Sequence, residues 1–236
     1  RCGKRDYLST GGACASRCPL SEFDIRLMRW RRNIMRESAR IFFRAVAAGI
    51  AIAIGGTVYL SVENKIAGSL FFTVGLYAIV LNGLNLYTGR IGYLVEQKEK
   101  RSYIWLLFLT WLGNLAGTSL AAVCLFAARI SSSIEEQART VCETKLGDSV
   151  FSIFILAVFC GILMYVAVDG FKQKGNPVIL FLCVSVFILA GFEHCVANMF
   201  YFTLAGVWSG RTFIYLLVMT LGNSLGGMLI PAVKKI

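Results

Sequence analysis

Long apolar runs separated by short charged clusters decide what this chain can fold into. Residues 41–60, 66–95, 103–128, 149–168, 178–208 and 212–233 are each predominantly apolar, and each is long enough as a helix to cross a hydrocarbon core of about 30 Å. A backbone in lipid must satisfy its own hydrogen bonds, which leaves helices or a closed barrel, and runs of this length read as helices. Composition agrees, because only 16% of the 236 residues are charged while 57% are hydrophobic, whereas a soluble domain carries about a quarter charged residues. The expectation is an all-α integral membrane protein with six transmembrane helices.

The net charge of +11 does not indicate a nucleic-acid partner, because the basic residues flank the apolar runs instead of forming one groove-sized patch. They crowd the N-terminus and the connections holding Lys98, Lys100 and Arg101 and Lys172 and Lys174, and they recur at Lys234 and Lys235. The intervening connections at 61–65 and 129–148 carry Glu63, Glu135, Glu136 and Glu143. By the positive-inside rule both termini are expected to be cytoplasmic, in a plasma or bacterial inner membrane.

Residues 1–40 are expected to form a cytoplasmic tail, irregular over 1–21 and then a basic amphipathic surface helix along Phe23, Leu27, Trp30 and Ile34. Residues 41–236 are expected to form the six-helix transmembrane domain. The first forty residues hold no apolar signal-peptide core, so none is expected. Cys124, Cys160, Cys183 and Cys195 fall within apolar runs, where free cysteine behaves as a small hydrophobe. Cys2, Cys14 and Cys18 match no zinc spacing and no histidine joins them. No metal or cofactor is expected.

Two runs are too long for a straight crossing. About 30 residues would extend roughly 45 Å as a helix, half again the membrane core. Each also carries polar or helix-weakening residues in its middle: Asn82, Gly83, Asn85, Thr88 and Gly89 in the second run, and Gly191, Glu193, His194 and Asn198 in the fifth. Both are expected to be broken helices. Irregular backbone at membrane depth is tolerated where protein or a water-filled cavity satisfies it, so two such breaks point to a pathway. His194 is the single histidine of the chain, and an ionisable group at this depth is a functional candidate by default.

The halves of the sequence echo one another. Gly113-Asn114-Leu-Ala-Gly117 in the third run is matched by Gly222-Asn223-Ser-Leu-Gly226 in the sixth, and Asn85 precedes Asn114 by the same interval as His194 precedes Asn223. With three spans per half the repeats must lie inverted, an aquaporin-like arrangement of three plus three with broken second and fifth helices.

At Gly191-Phe-Glu-His-Cys-Val-Ala-Asn-Met-Phe200 the sequence resembles the formate/nitrite transporter family, and Leu86-Tyr87-Thr88, Lys145 and the two Gly-Asn helices extend the likeness over about residues 38–235. The resemblance implies a homopentamer with one pore per protomer. It implies small monovalent anions as substrates: formate, nitrite, hydrosulfide, acetate or lactate. It also implies that Phe72, Leu76, Leu86, Tyr87 and Phe187 form apolar constrictions on either side of His194, that Thr88 is the histidine's hydrogen-bonding partner, and that Lys145 is the basic residue of the outer vestibule. One departure is Cys160-Gly161, where many members have Cys-Asn, a change expected to remove an amide and free space.

Moving a bare anion through an apolar ring costs on the order of 20 kcal/mol by idealised Born transfer. Protonating a carboxylate of pKa about 4 at pH 7 costs only roughly 4 kcal/mol. Passage as the neutral acid is therefore favoured, with the proton coming from His194 or from vestibule water, and Lys145 attracting the anion or merely snorkelling to the interface. Glu193 is expected to be a structural acid bonded to backbone or to a neighbouring protomer. Asn114 and Asn223 are expected to bond between helices, and Asn198 to stand beside His194. The alternative is an aquaporin-like channel for water or neutral solutes, which lacks its paired Asn-Pro-Ala breaks here, since Pro19, Pro177 and Pro231 are the only prolines. An enzyme is not expected: one histidine supplies at most one haem ligand, and no triad logic surrounds it.

Overall fold

A computed structural model describes residues 22–236, with side chains from residue 32 onward and at residue 26. Cys2, Cys14, Cys18 and the side chains of Phe23, Leu27 and Trp30 therefore lie outside the described residues. The chain divides into two units, residues 1–37 and Ser38–Ile236, and the helix packing and the site described below lie within the second.

All regular structure among the described residues is helical. The helices are α1 (Glu22–Ser61), α2 (Lys65–Leu81), α3 (Tyr87–Arg90), which runs into a 3-10 turn (Ile91–Glu96), α4 (Lys100–Phe126), α5 (Ser131–Gly147), α6 (Val150–Lys174), α7 (Val178–Leu189), α8 (Cys195–Leu204) and α9 (Gly210–Lys234). Among the described residues, four segments are long and apolar enough to cross a membrane: Arg32–Ser61 within α1, and α4, α6 and α9. The helices α2, α7 and α8 are apolar but shorter. Phe43, Phe71, Phe151, Leu182 and Val233 are exposed, a surface suited to hydrocarbon and not to water.

In lipid, helices associate through close backbone packing, which small residues permit. A Cβ at Gly117 of α4 would lie 2.0 Å from the Val46 carbonyl oxygen of α1, and one at Gly226 of α9 would lie 2.0 Å from that of Val158 on α6. Gly161 belongs to the same pattern, since its Cβ would lie 2.4 Å from the Asn223 carbonyl oxygen. The space expected from this glycine is therefore not free; the backbone of α9 occupies it.

The apolar runs 66–95 and 178–208 are each interrupted. Helix α2 closes at Gly83, with φ +60°, and α7 closes at Gly191, with φ +69°. After each glycine an amide reaches back to the preceding helix, Leu84 N to Ile79 O and Phe192 N to Phe187 O, both 2.9 Å. This is the Schellman closure that a left-handed residue allows. The chain then runs extended to Leu86 and to His194 before α3 and α8 begin.

The connection 129–148, expected as a loop, contains helix α5. Its polar composition hides a narrow apolar stripe, Ile134, Ala138 and Cys142, which is buried against the bundle. Burial pushes the Cys142 thiol up to about 12, so it stays a neutral packing group. The same face carries Lys145 in its last turn.

Candidate functional site

Two asparagines hold the interruptions in place, and they do so with matching bonds. Asn114 Nδ2 donates to Ala45 O at 2.8 Å and to Asn85 O at 2.9 Å, while its Oδ1 accepts from Tyr87 N at 2.9 Å. Asn223 Nδ2 donates to Ala157 O at 2.8 Å and to Glu193 O at 2.7 Å, while its Oδ1 accepts from Cys195 N at 2.8 Å. Each amide thus satisfies the backbone on both sides of a break that would otherwise leave polar groups unpaired in an apolar interior. The bonds correct the sequence register by one residue: Asn85 corresponds to Glu193, and the residue corresponding to His194 is Leu86.

His194 caps α8. Its Nδ1 accepts from Ala197 N at 3.1 Å, and its Nε2 lies 2.8 Å from Thr88 Oγ1 across the bundle. A backbone amide can only donate, so Nδ1 carries a lone pair and the single ring hydrogen of the neutral imidazole sits on Nε2, donating to Thr88. The ring stacks on Phe187, with centroids 5.7 Å apart, and Phe187 meets Phe72 edge-on at 6.2 Å. His194 and Thr88 are both buried.

Glu193, expected as a structural acid bonded to backbone or to a neighbouring protomer, is held within its own protomer by two side chains. Its Oε2 accepts from Lys145 Nζ at 2.6 Å and from Asn198 Nδ2 at 2.8 Å. The Lys145 and Glu193 side chains are 14% and 3% exposed, so the pair is shielded from water and its attraction is little screened. Asn198 also donates to His194 O at 3.0 Å. Its Oδ1 is buried with no hydrogen-bond partner among the described residues.

Two cavities approach this cluster. The first, of about 230 Å³, is lined by Lys145, Glu193, His194, Asn198, Phe72 and Phe187, with Tyr59 and Tyr201 at its wall. The second, of about 60 Å³, is lined by Leu76, Leu86, Val168, Arg90 and Lys172 among others. Phe72 and Leu76 stand one turn apart on α2, so the two spaces follow one another along that helix. Phe72, Leu76, Leu86 and Phe187 are all buried between them. Tyr87 lines neither cavity; its hydroxyl pairs with Ser224 Oγ at 2.9 Å. Sequence reasoning also missed Arg90 and Lys172, although Arg90 stands two positions after Thr88 on the same short helix.

Comparison with known proteins converges on one family. The family model described as formate/nitrite transporter matches residues 29–235. The "Formate channel FocA" of Haemophilus influenzae is 28% identical over 181 residues, 67% of this chain and 64% of the relative, so this chain spans less than two thirds of that relative's length. The "Probable formate transporter" of Methanothermobacter thermautotrophicus is 31% identical over 199 residues, covering 71% of this chain and 73% of that one. Among solved structures, a "Pentameric formate channel with formate bound" superposes with a TM-score of 0.75 over 85% of this chain and 96% of its own, at 23% identity, a likeness of fold. A match running along nearly the whole sequence, on a helical bundle of this form, makes the chain a multi-pass membrane protein belonging to the formate/nitrite transporter family, whose members are transporters and channels and not enzymes.

Proposed function

We propose that the chain carries small monovalent anions of weak acids, formate or nitrite or a similar ion such as hydrosulfide, acetate or lactate, across a cell membrane together with a proton. The observation that carries this reading is the arrangement of two cavities with buried apolar side chains between them and the His194–Thr88 pair beside the constriction. An ion entering that constriction loses its hydration without gaining a counter-charge, whereas a neutral acid loses little. Asn198 Oδ1, buried and unpartnered at the first cavity, offers an acceptor for the O–H of the protonated form.

The proton comes from vestibule water, and His194 remains neutral. Charging the ring would put a hydrogen on Nδ1 and break the bond that starts α8. Lys145 draws the anion into the first cavity, but its pairing with Glu193 leaves no net charge there. A lone buried ammonium would hold the anion and oppose its protonation; the pair avoids both.

The matching asparagine clamps support an inverted three-plus-three repeat with six crossings, in which α2 with α3 and α7 with α8 are the broken second and fifth. Residues 41–236 are then the transport domain and residues 1–40 a cytoplasmic extension, with the C-terminus on the same side. The similarity to a pentameric channel supports a homopentamer with one pathway per protomer. An aquaporin-like water channel is not favoured by the family match.

Uptake of formate, nitrite, hydrosulfide and lactate into proteoliposomes under an imposed pH gradient tests the reading. At least one should enter faster with acid outside, by about tenfold per pH unit well above its pKa. Failure of all four overturns the proposal.

A further inference from the structure

The second cavity contains two cations that the transport reading does not use. Arg90 closes the short helix α3, and Lys172 stands in the last turn of α6. Both line the cavity of about 60 Å³ beyond Leu76 and Leu86. The Arg90 Nε is buried and has no hydrogen-bond partner among the described residues, a costly state for part of a guanidinium. Lys172 Nζ lies 4.3 Å from the centre of the Tyr93 ring, a contact that orients the ammonium without neutralising it.

The neighbouring acid does not cancel these charges. Asp169 is engaged elsewhere, by Lys234 Nζ at 3.2 Å, by Gln173 Nε2 at 2.7 Å and by Tyr93 at 3.3 Å. Among the described residues neither Arg90 nor Lys172 forms an ion pair. The two ends of the constriction therefore differ: Lys145 with Glu193 sums to zero charge, and Arg90 with Lys172 sums to two positive charges. A cavity of about 60 Å³ suits an anion of a few atoms.

We propose that Arg90 and Lys172 form an anion-receiving site for a small monovalent oxyanion, at the opposite end of the constriction from Lys145. Resting on the transport reading above, the site re-ionises the acid that has crossed. A fork of N–H donors with an adjacent ammonium favours the carboxylate over the carboxylic acid, so the proton is left to water and the anion is held until it leaves. The two ends then handle the same substrate differently, with a neutral pair at one and a double cation at the other.

The test is formate flux into vesicles of neutral phosphatidylcholine carrying the full chain, measured as a function of formate concentration for wild type, R90Q, R90K and K172Q. R90Q should raise the half-saturating concentration about tenfold, the value of one charge-assisted hydrogen bond. K172Q, at an exposed position, should raise it about threefold, as a solvated charge does, and R90K, which keeps the charge without the fork of donors, should recover only part of the R90Q loss. Half-saturation unchanged in both R90Q and K172Q overturns the inference, as does an effect that appears only when phosphatidylglycerol is added, which would assign the pair to a lipid headgroup. The site is also read apart from transport, by the rise in melting temperature that sodium formate gives over sodium gluconate in detergent. A rise that survives both substitutions undiminished overturns the site whatever the vesicles show, while loss of the rise supports it even if wild-type vesicles carry no formate and the transport reading fails.

Discussion

His194 is held through both ring nitrogens, and the two bonds do different jobs. The Nδ1 bond to Ala197 N starts α8, and the Nε2 bond to Thr88 Oγ1 ties that start to α3. His194→Asn separates them, because asparagine is a good helix cap while it cannot reach Thr88 as the ring does. The variant should fold, carry formate roughly tenfold more slowly through loss of one buried hydrogen bond, and keep its dependence on outside pH. Uptake that became independent of pH would make the imidazole the source of the proton. His194, Thr88 and Lys145 were legible in the sequence because polar groups inside or beside apolar runs are conspicuous. The ion pair between Lys145 and Glu193 was not, since its partners lie 48 positions apart and meet only because α5 packs its buried stripe against the bundle. Glu193, adjacent to His194, lines the same cavity, where Lys145 and Asn198 hold its carboxylate.

At the scale of elements, the two interruptions are built alike, with a left-handed glycine, an extended stretch and an asparagine from a neighbouring helix clamping the backbone. Their position was legible, because polar residues cluster there. Their register was off by one, because Asn85 and His194 are both polar and draw the eye, while the bonds actually run to the carbonyls of Asn85 and Glu193. Helix α5 escaped notice because a stripe of three residues in a polar segment scarcely changes its average hydropathy. Equivalence of the clamps predicts equivalent sensitivity. Gly117→Ala and Gly226→Ala each put a methyl 2.0 Å from a carbonyl oxygen of the facing helix, and backbone cannot move aside as a side chain can. Each should cost about 1–3 kcal/mol and lower the melting temperature of the purified protein by similar amounts. Gly147→Ala, with no atom within 4 Å of the new methyl, should leave it unchanged or slightly higher. A large difference between Gly117→Ala and Gly226→Ala would argue that the two packings are not equivalent.

At the scale of the whole molecule, a constriction of buried apolar groups has a consequence for charge movement. If the substrate crosses as the neutral acid, no net charge traverses the membrane, and the membrane potential does no work on the transported species. If it crosses as the ion, one elementary charge falls through the full potential, worth about 2.3 kcal/mol per 100 mV. An inside-negative potential of that size would then slow entry or lower accumulation by roughly fiftyfold. The two cases separate cleanly in vesicles holding a potassium gradient with valinomycin, at fixed pH on both sides. Formate uptake should be the same, within a factor of about two, whether the potential is zero or 100 mV negative inside. It should still rise steeply when the outside is acidified, because acidification increases the neutral species that crosses. Vesicles whose uptake falls with negative potential and ignores pH would mean that an ion passes Phe72, Leu76, Leu86 and Phe187 unprotonated. That outcome would require the constriction to open far enough to admit water, a state in which the Phe187–His194 stack could not persist.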